Sequence, residues 1–258
     1  MTARSVSAAL AKESFVSVSV AFIIVSLWLQ SAYGSLFILP DARELSVAGA
    51  LAVIAGRSFV HTGLFILAHD AMHGTLAPAY PRLNDRLGQL ILGIYSFLSF
   101  EKMQAAHHQH HRTPAQASDP DFYPGRFCPW YFQFMRTYIR GGQGWVIFWG
   151  MSAFFYPLVL WLHVPVLNAA LFWLLPQAVS SWQRFYFGTY RPHKRPLGGH
   201  TNTHRANSSQ ASTLVSFLSC YHFDYHWEHH QYPHLPWYKL PSMRPPKQLV
   251  EPKRNTQT

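Results

Sequence analysis

Cysteine is almost missing from this chain: Cys128 and Cys220 stand alone among 258 residues. So sparse a pair cannot build a disulfide framework or a cysteine-based zinc site, and it reads as two reduced thiols. Charge is scarce as well. Charged residues make up 12% of the sequence, about half the soluble norm of roughly 25%. The net charge of +10 comes with no long Lys/Arg block and no nucleic-acid motif, which excludes nucleic acid as a partner. Nucleophile and redox signatures are missing too: the chain has no GxSxG, no HExxH, and no flavin, haem or dinucleotide fingerprint.

What the chain does have is apolar length. Residues 15–33, FVSVSVAFIIVSLWLQSAY, carry no charge and suffice for a bilayer crossing, which takes about 20 residues. Residues 46–68, interrupted by Arg57 and His61, together with 145–163 and 167–190, give three further spans. The stretch LGQLILGIYSFLSF at 87–100 is too short to cross and suits a re-entrant or interfacial helix. A cleaved signal peptide ending at AYG is the alternative for the first span, but its apolar region exceeds the usual length of about 7–15 residues.

The expected fold is therefore an all-α integral membrane protein forming a single domain over 1–258. About four transmembrane helices and the short re-entrant or interfacial helix carry a helical cap. Lys and Arg crowd the segments 69–144 and 191–258, while the 34–45 and 164–166 connections hold few or none. The positive-inside rule then places both long segments and both termini in the cytoplasm. The final PKQLVEPKRNTQT reads as a disordered tail.

Histidine is abundant, with 16 copies, and much of it is clustered on the cytoplasmic segments. The first cluster is HDAMH, with His69 and His73 spaced i, i+4. The second is HHQHH, holding His107, His110 and His111. The third is HFDYHWEHH, with His226, His229 and His230 at the same i, i+3, i+4 spacing and His222 one turn earlier. Residues three and four apart share a helix face, so each cluster presents one imidazole edge if its segment is helical. These histidines are too many for one tetrahedral zinc and suit two metal ions. Nitrogen-rich coordination fits iron, with copper and zinc also compatible by ligand type.

Other residues near the boxes have lesser claims. His204 is a possible ligand or outer donor, and His108 an outer donor. Asp70 and Asp119, like Asp121, Asp224 and Glu228, are candidates to orient ligand rings by accepting the other ring N–H. His61 is expected to hydrogen-bond within the bundle, while His163, His193, His200 and His234 read as edge, surface or loop groups. No catalytic side chain is required beyond the ligands, and the substrate-binding residues are left unassigned.

With these boxes the sequence resembles the membrane fatty-acid desaturase and hydroxylase superfamily. More narrowly it resembles the carotenoid ketolases of the bacterial β-carotene 4-oxygenase type. The narrower resemblance rests on GLFILAHDAMHG at 63–74, DPDFY at 119–123, FYFGTYRPH at 185–193 and CYHFDYHWEHHQYPHLPWYKLP at 220–241. The chain departs from that pattern at Tyr238, where a second Trp is usual, at Asp224, where Gly is usual, and at Arg191, where an apolar residue is usual.

The resemblance implies two iron ions held by His69, His73, His107, His110, His111, His222, His226, His229 and His230. It also implies O2 as co-substrate and an external reductant. The implied reaction is oxidation of β-carotene at C4 and C4′ of its β-ionone rings to echinenone and canthaxanthin, through two hydroxylations and a dehydration. A carotenoid dissolves in the bilayer and could enter along the aromatic stretches FLSF, FWGMSAFFY and SWQRFYF. The basic cytoplasmic face suits an acidic electron donor such as ferredoxin. A carotenoid ring hydroxylase or an acyl-lipid desaturase would use the same boxes. A non-enzymatic membrane zinc protein is the remaining alternative, although transport residues normally lie within the spans.

Overall fold

A helix satisfies its own backbone hydrogen bonds, which is what an apolar run surrounded by lipid requires. The long apolar runs of this chain are helical throughout. The computed structural model describes residues 3–244, which contain helices, turns and no strand. The tail at 246–258 lies outside the described residues.

Helix α1 (Ala3–Tyr33) begins well before the apolar run and is prolonged by a π turn at Gly34–Ile38. Helix α2 (Val47–Met72) starts at Ser46, whose side chain accepts from the Gly49 amide, and ends at His73. Helix α6 (Gln143–Leu160) is the third of the helices long and apolar enough to cross a bilayer. Phe15 and Phe22 of α1, and Trp145 and Trp149 of α6, are exposed, as lipid-facing side chains would be. Half of the most apolar window of α2 is buried, so α2 is the inner post of the bundle.

The fourth expected span, 167–190, falls within a continuous helical run over 166–193, termed α7. It alternates α segments (Val166–Ala169, Leu175–Phe185, Arg191–His193) with π turns (Ala170–Leu174, Tyr186–Tyr190). Its polar side chains face inward: Ser180 Oγ accepts from Thr62 of α2 at 2.9 Å and pairs with the Tyr95 hydroxyl at 3.0 Å. Arg57 donates to the Phe172 carbonyl at 3.0 Å. His61 accepts from the Trp28 indole at 3.1 Å, within the bundle as its sequence context predicts.

The apolar stretch 87–100 is divided by a turn. Helix α3 (Pro81–Ser96) opens on Pro81 and stops at Phe97, which is left-handed at φ 55. Helix α4 (Phe100–Arg112) restarts at Ser99, which accepts from the Lys102 amide, with Glu101 favourably placed in the first turn. Asn84 donates to the Ala71 carbonyl at 2.8 Å while Tyr95 stacks on His61 at 4.6 Å. α3 thus runs back along α2 for about 15 Å, given 1.5 Å per residue, before α4 returns to the end of α2. The hairpin is re-entrant in form and closes tightly. A Cβ added to Gly88 would lie 2.3 Å from the Phe100 ring and 2.9 Å from Ala71. Gly88→Ala is therefore expected to lower the thermal midpoint in detergent, at a cost of about 1–3 kcal/mol.

Beyond α5 (Phe127–Ile139), the chain ends in α8 (Thr213–Cys220) and α9 (His226–Gln231), followed by a 3-10 turn at Trp237–Met243. The break between α8 and α9 is made by two successive left-handed residues, Tyr221 (φ 50) and His222 (φ 61).

Candidate metal centre

Three helix ends deliver the boxes to one place. α2 brings His69 and His73 at its C-terminus, α4 brings His107, His110 and His111 in its last turns, and α9 brings His226, His229 and His230. They sort into two groups whose ligand-capable atoms lie within 4.8 Å of one another: His69, His73, His107 and His229, and then His110, His193, His226 and His230. His111 stands between them, with Nε2 2.9 Å from His229 Nε2 and its ring stacked on His230 at 4.1 Å.

The facing atoms are mostly Nε2. His73 meets His107 at 2.7 Å, His110 meets His230 at 3.1 Å, and His230 meets His226 at 3.1 Å. A neutral imidazole has only one N–H, so such convergence leaves many lone pairs pointed at one another. Except for His110, the facing rings are held in that neutral form. Burial lowers the pKa of His73 to about 3, and burial with mutual repulsion lowers His107, His111, His193, His226, His229 and His230 well below the usual value. Among the described residues, Nε2 of His69 and of His193 is buried without a partner. Neutral nitrogen donors, buried and convergent, are what a transition metal takes. The residues fit two metal ions.

His193 is the residue that sequence reasoning missed. Its sequence context predicts a surface or loop position, yet it is 1% exposed and sits 4.7 Å from His110 and 4.8 Å from His226, ring to ring. Its Nδ1 donates to the Arg205 carbonyl at 2.9 Å, which fixes the ring and turns Nε2 towards the second group. His222, expected among the ligands, stands apart. The α9 helix begins only at His226, so the predicted i, i+4 partnership does not form. Instead His222 Nδ1 contacts Ser216 Oγ at 3.1 Å, Ser216 donates to Asp224, and the ring stacks on Tyr225.

The outer candidates divide in the same way. Asp119 accepts from His110 Nδ1 at 2.9 Å and takes the Ala115 and Asp121 amides at 2.8 Å each. Burial works against the charged form of His110, but the hydrogen bond and charge of Asp119 hold its pKa above the usual value. Asp119 thus keeps the proton on Nδ1 and leaves Nε2 facing the group. Asp119→Asn is expected to weaken metal binding about 10–100-fold, read by metal content after graded chelation.

Asp70 lies 4.0 Å from His69 Nδ1, beyond hydrogen-bond range, and accepts from the Trp237 amide at 3.3 Å. His108 contacts the Met72 carbonyl at 2.9 Å. His204 contacts Gln231 Oε1 at 3.0 Å and lies 5.8 Å from the His230 ring. Neither joins a group. Glu228 accepts from Ser208 and lies 3.6 Å from Arg244.

One space adjoins the groups. A narrow cavity among α2, α4, α5 and α7 is walled by Phe65, Met72, Met103, Phe134 and Phe223, and it reaches His69, His107, His110 and His226. A separate wide cleft of about 860 Å³, lined by none of the grouped histidines, is rimmed by Arg126, Lys194, Arg195 and Arg205.

The chain is similar to known proteins over most of its length. The family model described as "Fatty acid desaturase" matches residues 45–255. A "Beta-carotene ketolase" of Paracoccus sp. (strain N81106 / MBIC 01143) is 39% identical over 225 residues, covering 86% of this chain and 89% of that protein. A second "Beta-carotene ketolase", of Paracoccus sp. (strain PC1), is 36% identical over 236 residues, covering 90% and 93%. A "Zeaxanthin 4-ketolase" of Chlamydomonas reinhardtii is 40% identical over 240 residues, 88% of this chain but 53% of the algal protein, so the chain spans about half of that relative's length.

Proposed function

Given that the chain belongs to the fatty acid desaturase family, we propose that it is a membrane carotenoid ketolase that oxidises C4 of a β-ionone ring at a pair of iron ions. The observation that carries the proposal is the double group of facing imidazoles at the end of a cavity walled in part by Phe65, Phe134 and Phe223. His69, His73, His107 and His229 would hold one ion, His110, His193, His226 and His230 the other, and His111 lies within reach of both. So placed, the metal pair would supply an O2-dependent oxidation of the ring methylene, first to the alcohol and then to the ketone, consuming two O2, four electrons and four protons and releasing three waters.

The protein's own part is binding, orientation and exclusion of water. Phe65, Phe134 and Phe223 line the approach and would accept an apolar ring end from the bilayer while keeping water away from the histidines. Asp119 and the Arg205 carbonyl fix the rings of His110 and His193. No side chain need act as a general base.

The same reading puts both termini and the cap in the cytoplasm, with α7 as a fourth crossing. The electrons would come from an acidic donor of the ferredoxin type docking at the cleft rimmed by Arg126, Lys194, Arg195 and Arg205. Electron transfer from such a donor is then expected to slow several-fold as salt rises. A rate independent of salt in membranes would count against docking at this cleft.

The experiment that tests the activity is pigment analysis of a β-carotene-accumulating bacterium expressing the chain. New 4-keto carotenoids support it. Unchanged β-carotene, with protein and iron content verified, rejects it.

A further inference from the structure

The narrow cavity beside the histidines contains a charge that the proposed reaction does not use. Arg184, on α7, is 5% exposed and borders the cavity. Among the described residues its guanidinium makes no hydrogen bond or ion pair, and its Nε is buried without a partner. Its neighbours are ring faces, with Phe65 4.3 Å and Phe134 5.3 Å from the guanidinium carbon. Asp121 borders the same cavity and accepts from the Tyr138 hydroxyl, which leaves further acceptor capacity on its carboxylate.

A guanidinium carries five N–H donors and no acceptor. Burying it unpaired is costly, and cation–π contact with Phe65 and Phe134 returns only part of that cost. The cavity thus offers unused donors from one side chain and spare acceptor capacity from another. A hydroxyl, which accepts and donates at once, complements the pair. A hydrocarbon ring leaves both unsatisfied.

We infer that Arg184 and Asp121 form a subsite for an oxygen already on the ring, and that Arg184 retains the half-oxidised alcohol in the cavity until the second oxidation. The inference rests on the ketolase reading, which supplies the alcohol. The space, about 30 Å³, matches a single oxygen rather than a whole ring, so what the inference adds concerns the hydroxyl: a mono-hydroxylated β-ring would be held more tightly than the parent hydrocarbon. Retention matters because the alcohol would otherwise return to the bilayer and compete with fresh β-carotene for the site.

The test is product analysis in β-carotene-accumulating cells expressing the wild type or Arg184→Met. A hydrogen bond from a charged donor corresponds to about ten-fold or more in affinity. The expected result is a rise of about ten-fold in the ratio of 4-hydroxy to 4-keto carotenoid in the variant. Loss of mere packing or cation–π contact would slow both oxidations together and leave the ratio unchanged, which overturns the inference.

A second measurement uses the wild type alone, so it holds even where the variant fails to accumulate. In isolated membranes supplied with reductant, 4-hydroxy-β-carotene is expected to show a lower KM than β-carotene. The reverse order overturns the subsite. A wild type that makes neither alcohol nor ketone from β-carotene removes the ketolase reading and this inference with it, a failure distinct from an unchanged ratio in an active enzyme.

Discussion

His229→Ala is expected to abolish ketone formation and to lower the bound metal, while the protein still accumulates in the membrane. His229 is 3% exposed, and its ring lies 4.6 Å from His69, 4.8 Å from His73 and 4.8 Å from His111. Removing it takes a donor from the first group and unpins His111, which leans on it. A residue that merely supports a metal ligand costs about 10–100-fold when lost, so a ligand should cost more than about 100-fold. The apolar bundle that folds the chain is built elsewhere, around α2 and its contacts with α1 and α3, so folding and activity should separate. Iron and ketone are measured on the same membranes. Full iron content with no ketone would mean that His229 acts on something other than metal retention.

The second large effect is a contrast between two histidines. His193→Ala is expected to be as damaging as His226→Ala, with loss of about one metal equivalent and of nearly all turnover. His222→Ala is expected to leave metal content unchanged and to act through stability alone. His193 has one ring nitrogen tied to the Arg205 carbonyl and the other buried with no partner among the described residues. His222 is tied into a chain through Ser216 to Asp224. Breaking that buried chain costs about 1–3 kcal/mol, visible as a lower thermal midpoint. If His222→Ala loses metal and His193→Ala keeps it, the two histidines have exchanged roles and the second ion is held by His110 and the third box alone.

That contrast shows how far the sequence can be read. The boxes at 69–73, 107–111 and 226–230 are legible because a helix turns spacing into a shared face, and all three segments are helical at those positions. The all-helical fold is legible from the uncharged runs, whereas the stretch 87–100, expected as one short re-entrant or interfacial helix, is divided at Phe97 between α3 and α4.

His222 misleads because periodicity assumes an unbroken helix. Nothing in its spacing announces the two left-handed residues at Tyr221 and His222. His193 is invisible for the opposite reason. It is a lone histidine after Pro192, and it reaches the cluster at the end of a helix whose π turn at Tyr186–Tyr190 shifts the face on which it emerges. No box spacing points to it, because the two HxxHH boxes and the HxxxH already supply eight histidines, enough for four to each ion.

The adjacent histidines 229 and 230 have a mechanical meaning. Neighbours on a helix point about 100° apart, so a doubled histidine cannot serve one ion with both rings. In α9, His229 goes to the first group and His230 to the second. In α4, His110 goes to the second group while His111 leans on His229 of the first. Each dipeptide is therefore a fixed gauge, and the two gauges would set the gap between the two proposed ions by covalent geometry rather than by the loops that join the helices. A single residue inserted within either dipeptide would then change that gap at once.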